Sequence, residues 1–174
     1  AVPPGHIAVP VGTTEAYLGR ILLTDQPRGN APATLAALRS LGVRTTVMLT
    51  GDAAPTAEQI AAQVGIGDVR AGLRQADKVA AVRALPDRPV VMVGDGVNDA
   101  PVLAVADVGI AMGAKGATAA SESADVVIML DDLGRVATSI AIAQRTVRIA
   151  LQAIWLGIAI SFALMAVAVW GVLP

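Results

Sequence analysis

An α/β fold, a parallel sheet with helices on both faces followed by a transmembrane α-helix, is what this sequence predicts, on three observations. Short runs rich in β-branched residues alternate with Ala/Leu-rich helical stretches through most of the chain. One such run, Val90 to Val93, ends in a cluster of glycines and carboxylates, and open α/β sheets bind ligands at the carboxyl ends of their strands. The last stretch, Ile149 to Leu173, is uncharged and longer than the roughly 20 residues a helix needs to cross a bilayer core.

The elements follow in order. His6–Val11 and Tyr17–Thr24 are β-compatible runs around Gly12-Thr13-Thr14 and read as a pair of strands. Beyond Pro27, Ala31–Leu41 is helical by composition with Gly42 closing it, and Val43–Leu49 is a strand ended by Thr50-Gly51-Asp52. Helices are expected at Pro55–Val64 and Asp77–Leu85, and strands at Val90–Val93, Val108–Met112 and Val126–Leu130. Asn98–Ala106 is expected to be a helix carrying the far end of the glycine and carboxylate cluster. Leu133–Arg148 reads as a helix running into the apolar span with no low-complexity linker, so movement on one side can be passed to the other.

Composition narrows the function classes. The chain is 55% apolar, with a mean hydropathy of +0.64, against about 45 to 50% for ordinary soluble domains even with glycine counted. Trp155 and Trp170 fall toward opposite ends of the span, as interfacial anchors do. Arg135, Arg145 and Arg148 precede the span and nothing basic follows it, which orients the preceding part toward the cytoplasm. The absence of cysteine removes thiolate ligands and disulfides, and the single His6, read as exposed, makes no histidine cluster. A net charge of -1 without a basic run argues against nucleic acid as a partner. The start at Ala1-Val2-Pro3-Pro4-Gly5 lacks the pattern of a secretory signal and reads as the middle of a longer polypeptide. One helix cannot make a transport pathway, which is normally built between several.

Chemistry concentrates at Gly94-Asp95-Gly96-Val97-Asn98-Asp99-Ala100-Pro101. Gly94 and Gly96 allow a sharp turn and close approach of the backbone to a ligand. Asp95 and Asp99, at i and i+4, suit Mg²⁺, a hard ion that takes one or two carboxylates together with phosphate oxygens and water. Asn98 can donate to a phosphoryl oxygen. The same residue types also make plain turns. The full string resembles the hinge motif of P-type ATPases, cation pumps whose phosphorylation domain has the haloacid-dehalogenase fold. Thr50-Gly51-Asp52 resembles their TGD motif, although Asp52 before Ala53-Ala54-Pro55 also suits a helix N-cap. Asp77-Lys78-Val79 resembles the setting of the lysine that neutralises the transferring phosphoryl group, where a solvated lysine is the plain alternative. Asp25-Gln26-Pro27-Arg28 resembles the Asp-x-x-Arg segment, which is otherwise a commonplace turn. Val105–Gly113 and Ala124–Val127 also match the pumps and read as structural. The resemblance runs from about Gly19 to Arg148. Asp131-Asp132-Leu133 and Arg145-Thr146-Val147-Arg148-Ile149 look most like the heavy-metal branch.

The resemblance implies a haloacid-dehalogenase-like Rossmannoid sheet in part of an ATP-driven heavy-metal cation transporter working through an aspartyl phosphate. It implies Mg²⁺ as cofactor and ATP as substrate. Asp95 would ligate Mg²⁺, Asp99 would orient the hinge and the metal shell, Thr50 and Asn98 would hold phosphoryl oxygens, and Lys78 would neutralise charge. Gly51, Asp52, Asp25 and Arg28 would lie on the nucleotide side. Residues 1–18 would return from a nucleotide-binding domain, 19–132 would form part of the phosphorylation domain, 133–148 a connecting helix and 149–173 the transmembrane helix. The partners implied are ATP, the transported cation, the lipid bilayer of a bacterial plasma membrane, and the rest of a pump: nucleotide-binding domain, actuator domain and other membrane helices.

The match has gaps. The nucleophile of these pumps stands in Asp-Lys-Thr-Gly-Thr, and this string does not occur here. Asp25, after Ile21-Leu22-Leu23-Thr24, imitates it superficially, but Pro27 stands where Asp or Thr is expected, so the chain alone is expected not to turn over ATP. Copper pumps of this kind carry an asparagine and a Tyr-Asn pair in the span and zinc pumps a lysine. The corresponding positions, aligned on Arg148-Ile149, read Ala153, Ile160 and Ser161, leaving Gln152 and Ser161 as the polar candidates facing a pathway and the ion open. Two rival readings stand: a membrane-tethered phosphatase using Asp25, and a non-catalytic module that binds Mg²⁺ or phosphate.

Overall fold

The computed structural model describes residues 6–24, 26–94, 98–113 and 122–171. It divides into two compact units, Ala1–Val136 and Ala137–Pro174.

The first unit opens with a hairpin of β1 (His6–Gly12) and β2 (Tyr17–Thr24), antiparallel with Val9 opposite Ile21. Its turn is closed by Thr13, whose hydroxyl accepts the Glu15 and Ala16 N–H groups and whose own N–H donates to the Ala16 carbonyl. Then α1 (Ala31–Ser40) starts with Pro32 in its first turn, where a missing N–H costs nothing. It ends at Leu41, and Gly42 takes the left-handed conformation, φ +91°, that a side chain resists. Strand β3 is shorter than expected, Val47–Leu49, because the Val43 N–H turns back to the Leu38 carbonyl and only three residues pair with a partner strand. That partner is β4 (Asp68–Arg70), parallel to β3 and not foreseen: two of its three residues are charged, which hides a strand from any reading based on apolar runs. Between them lies α2 (Ala54–Val64), closed by left-handed Gly65.

Helix α3 (Gln75–Arg83) begins earlier than expected because the Asp77 carboxylate accepts the Arg74 N–H at 2.9 Å. The second parallel sheet has the order β5 (Val91–Gly94), β6 (Val108–Met112), β7 (Val126–Ile128), with α4 (Ala100–Leu103) between β5 and β6. Helix α4 is far shorter than the expected Asn98–Ala106, because the chain must release Asp107 to the neighbouring strand. Its carboxylate accepts the Val90 N–H at 2.6 Å and the Arg88 guanidinium at 2.8 Å, while the Asp107 N–H donates to the Val90 carbonyl. Asp125 repeats the device one strand on: its carboxylate accepts the Gly109 N–H at 2.8 Å and its N–H donates to the Gly109 carbonyl. Each Ala-Asp-Val thus ties the start of one parallel strand to the start of the next. Strand β7 stops two residues sooner than expected, as Gly113 N–H closes onto the Ile128 carbonyl.

Among the described residues, two apolar clusters pack in this unit. Ala31 and Leu35 of α1 pack with Val64 of α2 against Met48, Ile66 and Leu133, and Leu103 of α4 packs with Ala111 of β6 against Met92 and Ala124. Gly109 makes the second possible: a Cβ there would stand 2.8 Å from the Leu103 carbonyl oxygen.

The long helix α5 (Gly134–Val169) begins before the expected span, Ile149–Leu173, and runs through it to Val169, so the expected connecting helix and most of the span are one element. Trp170 and Gly171 form a turn after it, and residues 172–173 lie outside the described residues. Helix α5 is long and apolar enough to cross a membrane; Val136 in its first turn is buried, whereas from Ile142 onward its Ile, Leu and Val side chains and Trp155 are exposed, as is Trp170 just past its end. Ser161 donates its hydroxyl to the Gly157 carbonyl, one turn back, and so satisfies itself within the helix.

Candidate functional site

The site is built where β5 ends. Gly94 is buried, and a Cβ at this position would lie 2.9 Å from Asp99 Cβ and 3.0 Å from its Oδ2, so only glycine lets the Asp99 carboxyl fold back over the strand end. Asp99 holds the N-cap position of α4 but makes no capping bond with its side chain. The carboxylate instead accepts Lys78 Nζ at 3.2 Å, with the two side chains only 15% and 14% exposed. Lys78 is presented by α3, whose start is tied to the loop after β3 by the Leu73 N–H on the Thr50 carbonyl.

A cavity of about 240 Å³ opens here, lined by Lys78, Asp99 and Gly94 together with Arg28, Leu49, Met92, Val93, Met112 and Leu133. Its described charged walls are two cations and one carboxylate, an environment that accepts an anion. Apolar walls lower the local dielectric and strengthen what those charges do.

Thr50 follows β3 directly, but its hydroxyl donates to the Asp52 carboxylate at 2.7 Å and accepts the Asp52 N–H at 3.1 Å. Asp52 is therefore not a helix cap; Ala53 takes that position in α2. Gly51 lies close to the Leu73 carbonyl, which would be 3.4 Å from a Cβ. Asn98 sits exposed in the turn before Asp99. The structure thus gathers Arg28, Lys78 and Asp99 around one cavity, with neither Thr50 nor Asn98 among its lining residues. Asp25 and Asp95, with Gly96 and Val97, lie outside the described residues.

Sequence reasoning placed Arg28 toward a nucleotide. Here its guanidinium donates through Nε to Asp131 Oδ1 at 3.0 Å, and Nη2 lies 2.7 Å from the same oxygen in an ion pair. Two residues on, Asn30 Nδ2 donates to Asp132 Oδ1 at 2.7 Å, and that oxygen also accepts the Gly134 N–H at 2.9 Å at the start of α5. This network was not foreseen; the signal for it was the spacing Arg28-x-Asn30 against the adjacent pair Asp131-Asp132.

The donor set fits Mg²⁺ shared with a phosphate. Among the described residues no three His, Asp or Glu side chains converge, and Asp99 offers a single carboxylate, whereas Mg²⁺ characteristically takes one or two carboxylates and completes its shell with phosphate oxygens and water.

Residues 4–107, more than half the chain, match the family model of a haloacid dehalogenase-like hydrolase. The chain is 42% identical over 172 residues to the cadmium, zinc and cobalt-transporting ATPase of Bacillus subtilis, covering 96% of this chain and 24% of that protein. The structure of a zinc-transporting PIB-type ATPase in its E2.Pi state superposes with a TM-score of 0.82 at 36% identity, over 96% of this chain and 27% of that one. The catalytic domain of the CPx-ATPase CopB-B superposes at 0.60 with 26% identity, over 70% of this chain and 48% of that one. The chain spans about a quarter of the transporting ATPase it matches. By the family model, and with homology to heavy-metal-transporting P-type ATPases along nearly its whole length, this chain belongs to the haloacid dehalogenase-like hydrolases.

Proposed function

We propose that this chain is the Mg²⁺- and phosphate-binding half of the phosphorylation site of an ATP-driven heavy-metal cation transporter, joined to one membrane helix. The observation that carries the reading is the sheltered Lys78–Asp99 pair at the carboxyl end of β5, opening on a cavity with Arg28 on its wall. A phosphoryl group in transfer needs charge stabilisation and positioning more than covalent help. Lys78 supplies a positive charge where apolar walls keep water from screening it. Asp99, with Asp95, would hold Mg²⁺, which when bound neutralises phosphate charge. Thr50, whose hydroxyl Asp52 holds, and Asn98 do not line the cavity in this fold, and each would have to turn toward it to donate to a phosphoryl oxygen. The nucleophilic aspartate comes from outside these 174 residues, as do the nucleotide-binding and actuator domains. On this reading residues 19–132 belong to the phosphorylation domain, α5 lies in a bacterial plasma membrane, and the preceding unit faces the cytoplasm. The relatives' names support a divalent cation such as cadmium, zinc or cobalt as cargo.

The test has two arms. The 174-residue chain in detergent micelles is titrated with inorganic phosphate and followed by phosphorus NMR, with and without Mg²⁺. Binding that needs Mg²⁺ and weakens at least tenfold in Lys78→Met is expected; binding indifferent to both removes the assignment of this cavity. In a polypeptide extended upstream, radiolabelled ATP should give an acid-stable phosphoenzyme that Lys78→Met suppresses, and an extended protein with no phosphoenzyme removes the pump reading.

A further inference from the structure

The two cations of the cavity are held differently. Lys78 pairs with Asp99, which belongs to the cavity wall, whereas Arg28 pairs with Asp131, which does not. The Arg28–Asp131 pair is also open to water, its side chains 42% and 69% exposed, and ion pairs of that kind contribute little and exchange readily. We infer that Arg28 is a shuttle between two anions, the Asp131 carboxylate and a phosphate in the cavity, and that its capture by phosphate loosens the first turn of α5. The inference rests on the phosphate-binding reading of the cavity.

The guanidinium fork matches phosphate as well as it matches a carboxylate. A doubly charged phosphate beside Lys78 competes for it against a single, water-screened carboxylate. The backbone then carries the change. The Ala31 N–H donates to the Arg28 carbonyl at 2.9 Å, so residues 28–31 form one tight turn, the route by which a shift of Arg28 would reach Asn30. Asn30 holds the same Asp132 oxygen that accepts the Gly134 N–H. Gly134 stands at the first position of α5, where amides lack partners within the helix and depend on such an acceptor. A Cβ at this position would lie 3.1 Å from that oxygen, so the glycine is what admits the carboxylate. Phosphate occupancy and the order of the first turn of α5 are therefore linked through one side chain.

The experiment uses the full chain in micelles, inorganic phosphate with Mg²⁺ as the probe, phosphorus NMR for affinity, and hydrogen exchange at the Gly134 amide for the first turn. Asp131→Asn, at an exposed position, releases Arg28 and should tighten phosphate about twofold to fivefold. Arg28→Gln should weaken it. Saturating phosphate should speed Gly134 exchange in the wild-type chain and leave Arg28→Gln unchanged, as the reciprocity of coupled sites requires. Unaltered or weaker phosphate binding in Asp131→Asn, or Gly134 exchange indifferent to phosphate, overturns the shuttle. If Lys78→Met still abolishes binding in that case, the cavity assignment survives and only the shuttle falls; if the wild-type chain binds no phosphate, both fall together.

Discussion

Replacing Gly109 by alanine tests whether the close contact between β6 and α4 sets the site. The new methyl would meet the Leu103 carbonyl oxygen at 2.8 Å, Leu103 Cβ at 3.1 Å and the Leu103 carbonyl carbon at 3.2 Å. Two of these are main-chain atoms, so no rotamer change relieves the clash, and Leu103 is 1% exposed with nowhere to go. Strand β6 is held in place beside β7 by the 2.8 Å Gly109 N–H bond to Asp125, which a shift of Gly109 would distort. Helix α4 must give way instead, and with it Asp99 at its start. Overpacking of this size costs about 1–3 kcal/mol. A fitting control is Gly67→Ala, where a Cβ meets nothing within 4 Å and φ is not positive. There the loss of unfolded-state freedom should stabilise by about 0.4–1 kcal/mol. Native-state hydrogen exchange of the β5 and β6 amides reads both, since protection reports the free energy of opening. Gly109→Ala should exchange roughly fivefold to 150-fold faster than wild type and should weaken Mg²⁺-dependent phosphate binding. Exchange as slow as in the Gly67→Ala control would refute the argument that the glycine is required by its neighbour.

Three further outcomes are expected. The Val90 N–H, and after it the Arg88 guanidinium, hold the Asp107 carboxyl below its ordinary value of 3.8. A carboxylate so depressed stabilises the fold fully above that value and loses the contribution as pH falls through the lower folded value. The urea midpoint by far-ultraviolet circular dichroism should therefore fall on acidification less in Asp107→Asn than in wild type; parallel declines would remove the assignment. Gly94→Ala places a methyl 2.9 Å from Asp99 Cβ and should drive the carboxyl off Lys78, cutting Mg²⁺-dependent phosphate binding tenfold or more, as titration would reveal. In liposomes, Trp155 and Trp170 emission should shift to the blue and be quenched by nitroxide-labelled lipids, whereas water-quenched emission would deny α5 its membrane.

Much of this was legible because it rests on local chemistry. The apolar run Val90–Val93 marked β5, Gly42 marked a helix end, and the uncharged stretch after Arg148 marked the body of α5. What escaped depended on partners distant in sequence. Strand β4 is three residues, Asp68-Val69-Arg70, that form a strand only because Val47–Leu49 lies alongside. Helix α4 is short because Asp107 has an engagement with Val90, and no window of apolar periodicity contains that fact. At the site, Lys78 and Asp99, singled out through the resemblance, meet in an ion pair that the sequence did not specify. The turn of Arg28 toward Asp131, and of the Thr50 hydroxyl toward Asp52, are choices among several acceptors that composition leaves equal.

The two Ala-Asp-Val ties have a consequence for how the second sheet tolerates change. Parallel strands of three to five residues offer few contacts with which to recognise their own alignment, and a slip of one residue turns every side chain to the wrong face. Asp107 and Asp125 act as indexing pins: each engages one amide at the start of the preceding strand, Val90 just before β5 and Gly109 in β6, so alignment is decided there and not averaged along the ladder. A residue inserted between Asp107 and Val108 would set the pin against the pleat, with the carboxylate demanding one alignment and the apolar side chains another. The same insertion among residues 84–87, ahead of both pins, would leave the indexing whole. Length variation in this sheet is therefore expected to collect upstream of its aspartates and not between them and their strands.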